Sequence, residues 1–130
     1  MKHKISGKVV KGIGYGRELG FPTADLDRRQ WSRMKVKPIL GVWAGEVQVS
    51  NKLLKFKNYL AGIVIGPLDK HGLPKIEAHL LGFQGDLYGR KITIFLLKYL
   101  RPFQSYGHPR ALKAQISKDI RLIKTLKLSI

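Results

Sequence analysis

Between Gly12 and Asp25 the chain reads Gly-Ile-Gly-Tyr-Gly-Arg-Glu-Leu-Gly-Phe-Pro-Thr-Ala-Asp, residue types and spacings that suit a nucleotide phosphate and its metal. Gly12, Gly14 and Gly16 let backbone N–H groups close around an anion, and Arg17 adds a fixed positive charge beside them. Thr23 and Asp25 stand two apart, so on an extended segment they share a face and offer hydroxyl and carboxylate oxygens to one hard cation, for which Mg2+ is the natural choice. The chemistry expected is phosphoryl transfer. A second constellation, Ile76-Glu-Ala-His-Leu-Leu81, puts Glu77 and His79 on one face of a strand, opposite Ile76, Ala78 and Leu80. If that face lines a barrel interior or mouth, Glu77 suits a general base; if it meets solvent, the pair is surface decoration. His79 reads as an orienting residue rather than a catalyst. The glycine run is not followed by Gly-Lys-Ser/Thr, and neither a Walker A loop, a dinucleotide fingerprint nor a zinc site is present.

The elements that must hold these residues are mostly strands. Segments 5–10, 41–49, 53–65, 76–83 and 91–100 are rich in β-branched and aromatic residues and are separated by Gly, Pro, Asn and Asp. Strands without intervening helical patterns favour an antiparallel sheet, and this length favours a small closed barrel over a two-sheet sandwich. After Pro109 the period changes. Leu112, Ile116, Ile120, Ile123 and Leu126 recur every three or four residues, with Arg110, Lys113, Lys118, Arg121 and Lys124 on the other side, which predicts an amphipathic C-terminal helix. The basic, apolar-poor stretch from Asp27 to Pro38 reads as a mobile loop.

Composition bounds the rest. The 130 residues, 44% of them hydrophobic, make a single domain over residues 1–130 with a core of its own. There is no cysteine, so disulfides, thiolate metal sites and Cys nucleophiles are excluded. With no apolar run long enough to span a membrane and no signal-peptide core after Met1, the chain reads as a cytoplasmic monomer without a membrane partner. The 25 Lys and Arg against 8 Asp and Glu give a net charge of +17, which attracts polyanions; weak, nonspecific nucleic-acid binding is expected from it.

The chain resembles the riboflavin kinase (flavokinase) family, in particular the kinase half of bacterial bifunctional riboflavin kinase/FAD synthetases. The resemblance runs over nearly its whole length, through Gly7-Lys-Val-Val-Lys-Gly12, Gly16-Arg-Glu-Leu-Gly-Phe-Pro-Thr-Ala-Asp25, Gly41-Val-Trp-Ala44, Glu77-Ala-His-Leu-Leu81, Asp86-Leu-Tyr-Gly89, Leu100-Arg-Pro102 and Leu112-Lys-Ala-Gln-Ile116. It implies a six-stranded antiparallel, Greek-key-like barrel with a C-terminal helix, transferring the γ-phosphoryl of ATP to the 5′-hydroxyl of riboflavin to give FMN and ADP. By the same resemblance Thr23 and Asp25 contact the Mg-nucleotide, Gly12, Gly14, Gly16 and Arg17 bind its phosphates, Glu77 is the catalytic base, and Tyr88, Arg101 and Phe103 fall near the flavin. The alternative is a degenerate, non-catalytic barrel that binds RNA or another polyanion through its basic surface. Three departures stand out. Asp25 replaces the family's usual Asn, the Asn-Ile-Gly-x-x-Pro-Thr segment appears as Gly62-Ile-Val-Ile-Gly-Pro-Leu68, and Arg-Pro-Glu appears as Arg101-Pro-Phe103. With Met1 just before the kinase-like region, no adenylyltransferase half and no FAD synthesis are expected.

Overall fold

A computed structural model describes residues 3–11, 23–50 and 53–128. Among the described residues, six strands, β1 (His3–Val10), β2 (Ala24–Leu26), β3 (Gly41–Ser50), β4 (Phe56–Leu68), β5 (Pro74–Leu80) and β6 (Lys91–Arg101), precede an α-helix, α1 (Pro109–Ile123). They close an antiparallel barrel in the order β1-β2-β5-β4-β3-β6, with β6 pairing back onto β1. The expected fold is therefore the observed one. Among the described residues no helix is long and apolar enough to cross a membrane.

Period-two alternation fills the barrel. Ile5 and Val9 of β1, Val47 and Val49 of β3, Ala61, Ile63 and Ile65 of β4, Ile76, Ala78 and Leu80 of β5, and Ile92, Ile94 and Leu96 of β6 all join one buried cluster. Small and large side chains share each inward row. Ala24, Ala78, Ile63, Trp43 and Tyr99 are successive pairing partners around the barrel, so two alanines leave room for the edge-to-face Trp43–Tyr99 contact at 5.3 Å. Gly45, at a register shift between β3 and β6, has the least room of the described glycines: a Cβ there would lie 2.3 Å from the Phe95 carbonyl oxygen and 2.5 Å from Ile63 Cδ1.

Two elements differ from the sequence-based expectation. The stretch from Asp27 to Pro38 is not a bare loop: it contains a 3-10 helix over Arg28–Arg33, started by Asp27, whose carboxylate accepts from the Arg29 backbone N–H. Arg29 also holds the Asp27 carboxyl down at about 2. The helix buries Trp31 in the core, and Arg28 reaches Asp69 at 2.6 Å. One Trp, with Met34 packed beside it, anchors a segment whose basic composition conceals it. The second difference is β2, three residues long and too short to show a periodic pattern of its own. Elsewhere the strands move by a few residues: β4 starts at Phe56 because 53–55 form the turn of the β3–β4 hairpin, and β5 ends at Leu80 rather than Phe83.

Helix α1 starts at Pro109, with His108 Nδ1 accepting from the Arg110 N–H, and packs on the outer side of β3 and β4. Gly62 admits it: a Cβ at this position would sit 3.1 Å from Ile123 Cδ1. Asp119 interrupts the apolar face and is buried, holding the Arg101 guanidinium through Nε and at 2.7 Å through the terminal nitrogen. Burial works against the Arg101 charge, but the hydrogen bonds and charge of Asp119 outweigh it and hold the group above its ordinary value.

Gly45→Ala is expected to destabilise the protein by about 3 kcal/mol, because the nearest obstacle is backbone that cannot rotate away. Denaturant unfolding of wild type and variant checks this against Gly72→Ala. Gly72 meets nothing within 4 Å, but its φ of +77° is itself unfavourable for alanine, so its smaller loss measures backbone strain alone.

Candidate functional site

β2 pairs with only two residues of β1 and two of β5. Where it ends, β1 and β5 part and the barrel wall opens into a cavity of about 450 Å3, lined by Val10 and Lys11 on one side, Thr23 and Asp25 at the mouth, and Leu80, Phe83 and Tyr88 beyond. Tyr88 is carried there by a local turn. Asp86 Oδ1 accepts from the Tyr88 N–H at 2.8 Å, Gly89 takes a φ of +81° that a side chain rarely adopts, and its N–H donates to Val9 of β1.

The register places the chemistry-bearing residues in one row across the outer face. Asp25 of β2 faces Glu77 of β5, Glu77 faces Val64 of β4, Val64 faces Val42 of β3, and Val42 faces Arg101 of β6. The next row is His79, Gly62, Ala44 and Lys98. The face is carboxylate-rich at one end, apolar in the middle and closed at the other end by α1, which packs on β3 and β4 where Val42 and Ala44 are buried. Glu77 and His79 thus share a face as expected, and it is the outer face, not the barrel interior.

Thr23 and Asp25 meet at Glu77. The Thr23 hydroxyl lies 3.5 Å from Glu77 Oε2 as donor, while Asp25 is the register partner of Glu77. Burial, and then the negative charge of Glu77, push the Asp25 carboxyl above its ordinary value. Lys75 only partly offsets them. Lys75 stands two residues before Glu77 on the same face, with Nζ 2.9 Å from Glu77 Oε2. The sequence reading missed it, although the Lys-x-Glu spacing on a strand was the available signal.

The remaining expected residues divide. Gly12, Gly14, Gly16 and Arg17 lie outside the described residues. Tyr88 lines the Thr23 and Asp25 cavity, whereas Arg101 stands at the far end of the outer row and Phe103 lies against β4. Arg101 is engaged by Asp119. Phe103 packs on Gly66, whose Cβ position is 2.8 Å from the ring, and remains 37% exposed.

Together these features define a six-stranded antiparallel barrel in which Thr23 and Asp25 line a cavity and both meet Glu77 on the outer face. The riboflavin kinase (flavokinase) family model matches residues 1–127, and the chain belongs to that family. It is 40% identical over 116 residues to the bifunctional riboflavin kinase/FMN adenylyltransferase of Escherichia coli (strain K12), covering 88% of this chain and 35% of that protein, about a third of the relative's length. It is 32% identical over 120 residues to the RNA-binding riboflavin kinase RibR of Bacillus subtilis, covering 92% of this chain and 49% of that one. The crystal structure of riboflavin kinase from Trypanosoma brucei superposes with a TM-score of 0.72 at 26% identity, over 95% of this chain and 76% of that chain.

A carboxyl whose folded-state value is raised contributes stability below its unfolded value, and that contribution is lost as pH rises through the raised value. Asp25→Asn, tested without metal, is therefore expected to raise the melting temperature at neutral pH and to match wild type as pH falls below 3.8. Thermal unfolding over a pH series checks both halves.

Proposed function

We propose that the chain is a riboflavin kinase, with ATP in the cavity and riboflavin on the outer face. The observation that carries the reading is that Thr23 and Asp25, which line the cavity, both meet Glu77 on the outer face. A nucleotide entering the cavity would bring its phosphates to Thr23 and Asp25. An alcohol lying on the apolar shelf of Val64 would reach Glu77 from the other side.

The donor set fits a magnesium ion, because Mg2+ is held by one or two carboxylates together with substrate phosphates, and Asp25 carries a charge that its surroundings disfavour. When bound, the ion supplies charge neutralisation to the phosphates. Thr23 and Asp25 would hold it, and Lys75 would add a positive charge beside the pair. The Glu77 carboxylate accepts the proton of the riboflavin 5′-hydroxyl as that oxygen bonds to the γ-phosphorus, and the bond to the β-phosphate oxygen breaks to release ADP. His79 lies one row along, opposite Gly62, where it orients the strand face rather than taking the proton. Phe103, partly exposed against Gly66 two residues beyond Val64, offers an aromatic surface for the isoalloxazine ring, while Arg101 keeps the helix that walls the shelf. Phosphate contacts by Gly12, Gly14, Gly16 and Arg17 remain part of the proposal on their sequence alone.

Thr23, Glu77 and Arg17, which keep the family's residue types, favour a catalyst over a degenerate barrel. The charge of +17 adds weak, salt-sensitive nucleic-acid affinity to that reading without replacing it.

Purified protein is expected to convert riboflavin to FMN with ATP and Mg2+, followed by chromatographic separation of the flavins. Glu77→Gln should lower turnover by roughly 10²–10⁴-fold while Mg-ADP and riboflavin still bind. Wild-type turnover in this variant would remove Glu77 as the base, and bound flavin without turnover in the wild type would remove the kinase assignment. Thr23→Ala is expected to weaken Mg-ADP by about tenfold in a calorimetric titration, through loss of a hydroxyl at the metal and phosphates. Equal affinities would take Thr23 out of the site.

A further inference from the structure

The hairpin between β3 and β4 exposes its largest apolar residues instead of burying them: Leu53 is 75% exposed, Leu54 79% and Phe56 63%. A scattered exposed leucine needs no explanation, but three large apolar side chains within four residues at one hairpin end form a patch. Leu54 adds to the anomaly. It holds a φ of 59°, in the left-handed region where glycine or asparagine is usual, so a leucine here carries backbone strain and gains no burial from it.

Behind the tip lies a cleft of about 210 Å3 between Phe56, Tyr59 and Phe83, rimmed by Lys55, Lys57 and Arg90, with no acidic residue in its lining. Lys57 Nζ stands 5.1 Å over the Tyr59 ring. Apolar side chains at the extremity with cations set just behind them is the arrangement that matches an anionic bilayer, whose phosphates overlie its hydrocarbon. We propose that this end of the barrel docks on an anionic lipid surface, a peripheral contact that replaces the sequence-based expectation of no membrane partner, with Leu53, Leu54 and Phe56 entering the boundary between headgroups and acyl chains and Lys55, Lys57 and Arg90 meeting lipid phosphates. Single-stranded nucleic acid fits the charge and would find a stacking face in Phe56, but it gains nothing from Leu53 and Leu54, the two most exposed side chains of the tip. The net charge of +17 strengthens attraction to an anionic leaflet from a distance, and the few inserted side chains keep the contact reversible.

The test is co-sedimentation of the intact chain with phosphatidylcholine vesicles, with and without phosphatidylglycerol. Wild type is expected to bind the mixed vesicles at least about tenfold more tightly than the zwitterionic ones. The double change Leu53→Ser, Leu54→Ser should weaken binding about tenfold and leave its salt dependence in place. Lys55→Gln with Lys57→Gln should weaken it similarly and flatten the salt dependence. These side chains are exposed, and a thermal melt of each variant confirms the fold. In Leu54→Trp, emission should shift to the blue on adding the mixed vesicles, a report from position 54 because Trp31 and Trp43 are buried. Absence of binding to the mixed vesicles overturns the proposal. So does undiminished binding of the leucine variant, which would mean adsorption by bulk charge. Capture of a single-stranded RNA oligonucleotide more tightly than vesicles, weakened by the same leucine changes, would assign the surface to nucleic acid and overturn it as well.

Discussion

Closing a sheet through a strand of three residues is the constraint on which this structure depends. β2 supplies enough pairing to join β1 to β5, and no more. Were it longer, the cavity beside Thr23 would be filled by sheet; were it absent, the barrel would have two unpaired edges, which are costly and aggregation-prone. Its central residue, Asp25, consequently cannot avoid Glu77. The pairing that completes the barrel is the one that brings two carboxylates together at its opening.

That juxtaposition has an electrostatic cost, because like charges directly opposite on paired strands repel and partial burial removes the water that would screen them. Lys75 relieves part of it by its ion pair with Glu77. A dication and its phosphates would relieve more. On the proposed function, such a site would exchange fold stability for ligand affinity, the usual relation between stability and function at binding centres.

The opposite end of the same outer row is stabilised in another way. Arg101 and Asp119 form a two-pronged ion pair with side chains 19% and 8% exposed. A buried pair is weak evidence for net stability, since desolvation consumes most of the attraction. Its effect here is positional. The fork from the last residue of β6 sets the rotation of α1 about its axis, and Gly62 lets Ile123 approach the sheet. The helix therefore lies against β3 and β4, where Val42 and Ala44 are buried, while Val64 beside the carboxylates is only partly covered.

The sequence by itself determined the strands of the barrel wall and the apolar face of α1, because alternation and helical periodicity are local properties of a chain that must bury one face. It also determined that Thr23 and Asp25 share a face, as do Glu77 and His79, since residues two apart on a strand do so in any fold. The Gly-Phe-Pro-Thr-Ala box and the Glu-Ala-His strand carried the family. What joined these pairs was decided only in three dimensions. Asp25 meets Glu77 across 52 positions of chain through a strand too short to announce itself, and Arg101 meets Asp119 on an apparently apolar helix face. Trp31 turns a basic connection into an anchored 3-10 helix. Cross-strand register and ion-pair partners depend on which distant segments the closed barrel makes neighbours, and no local period records that.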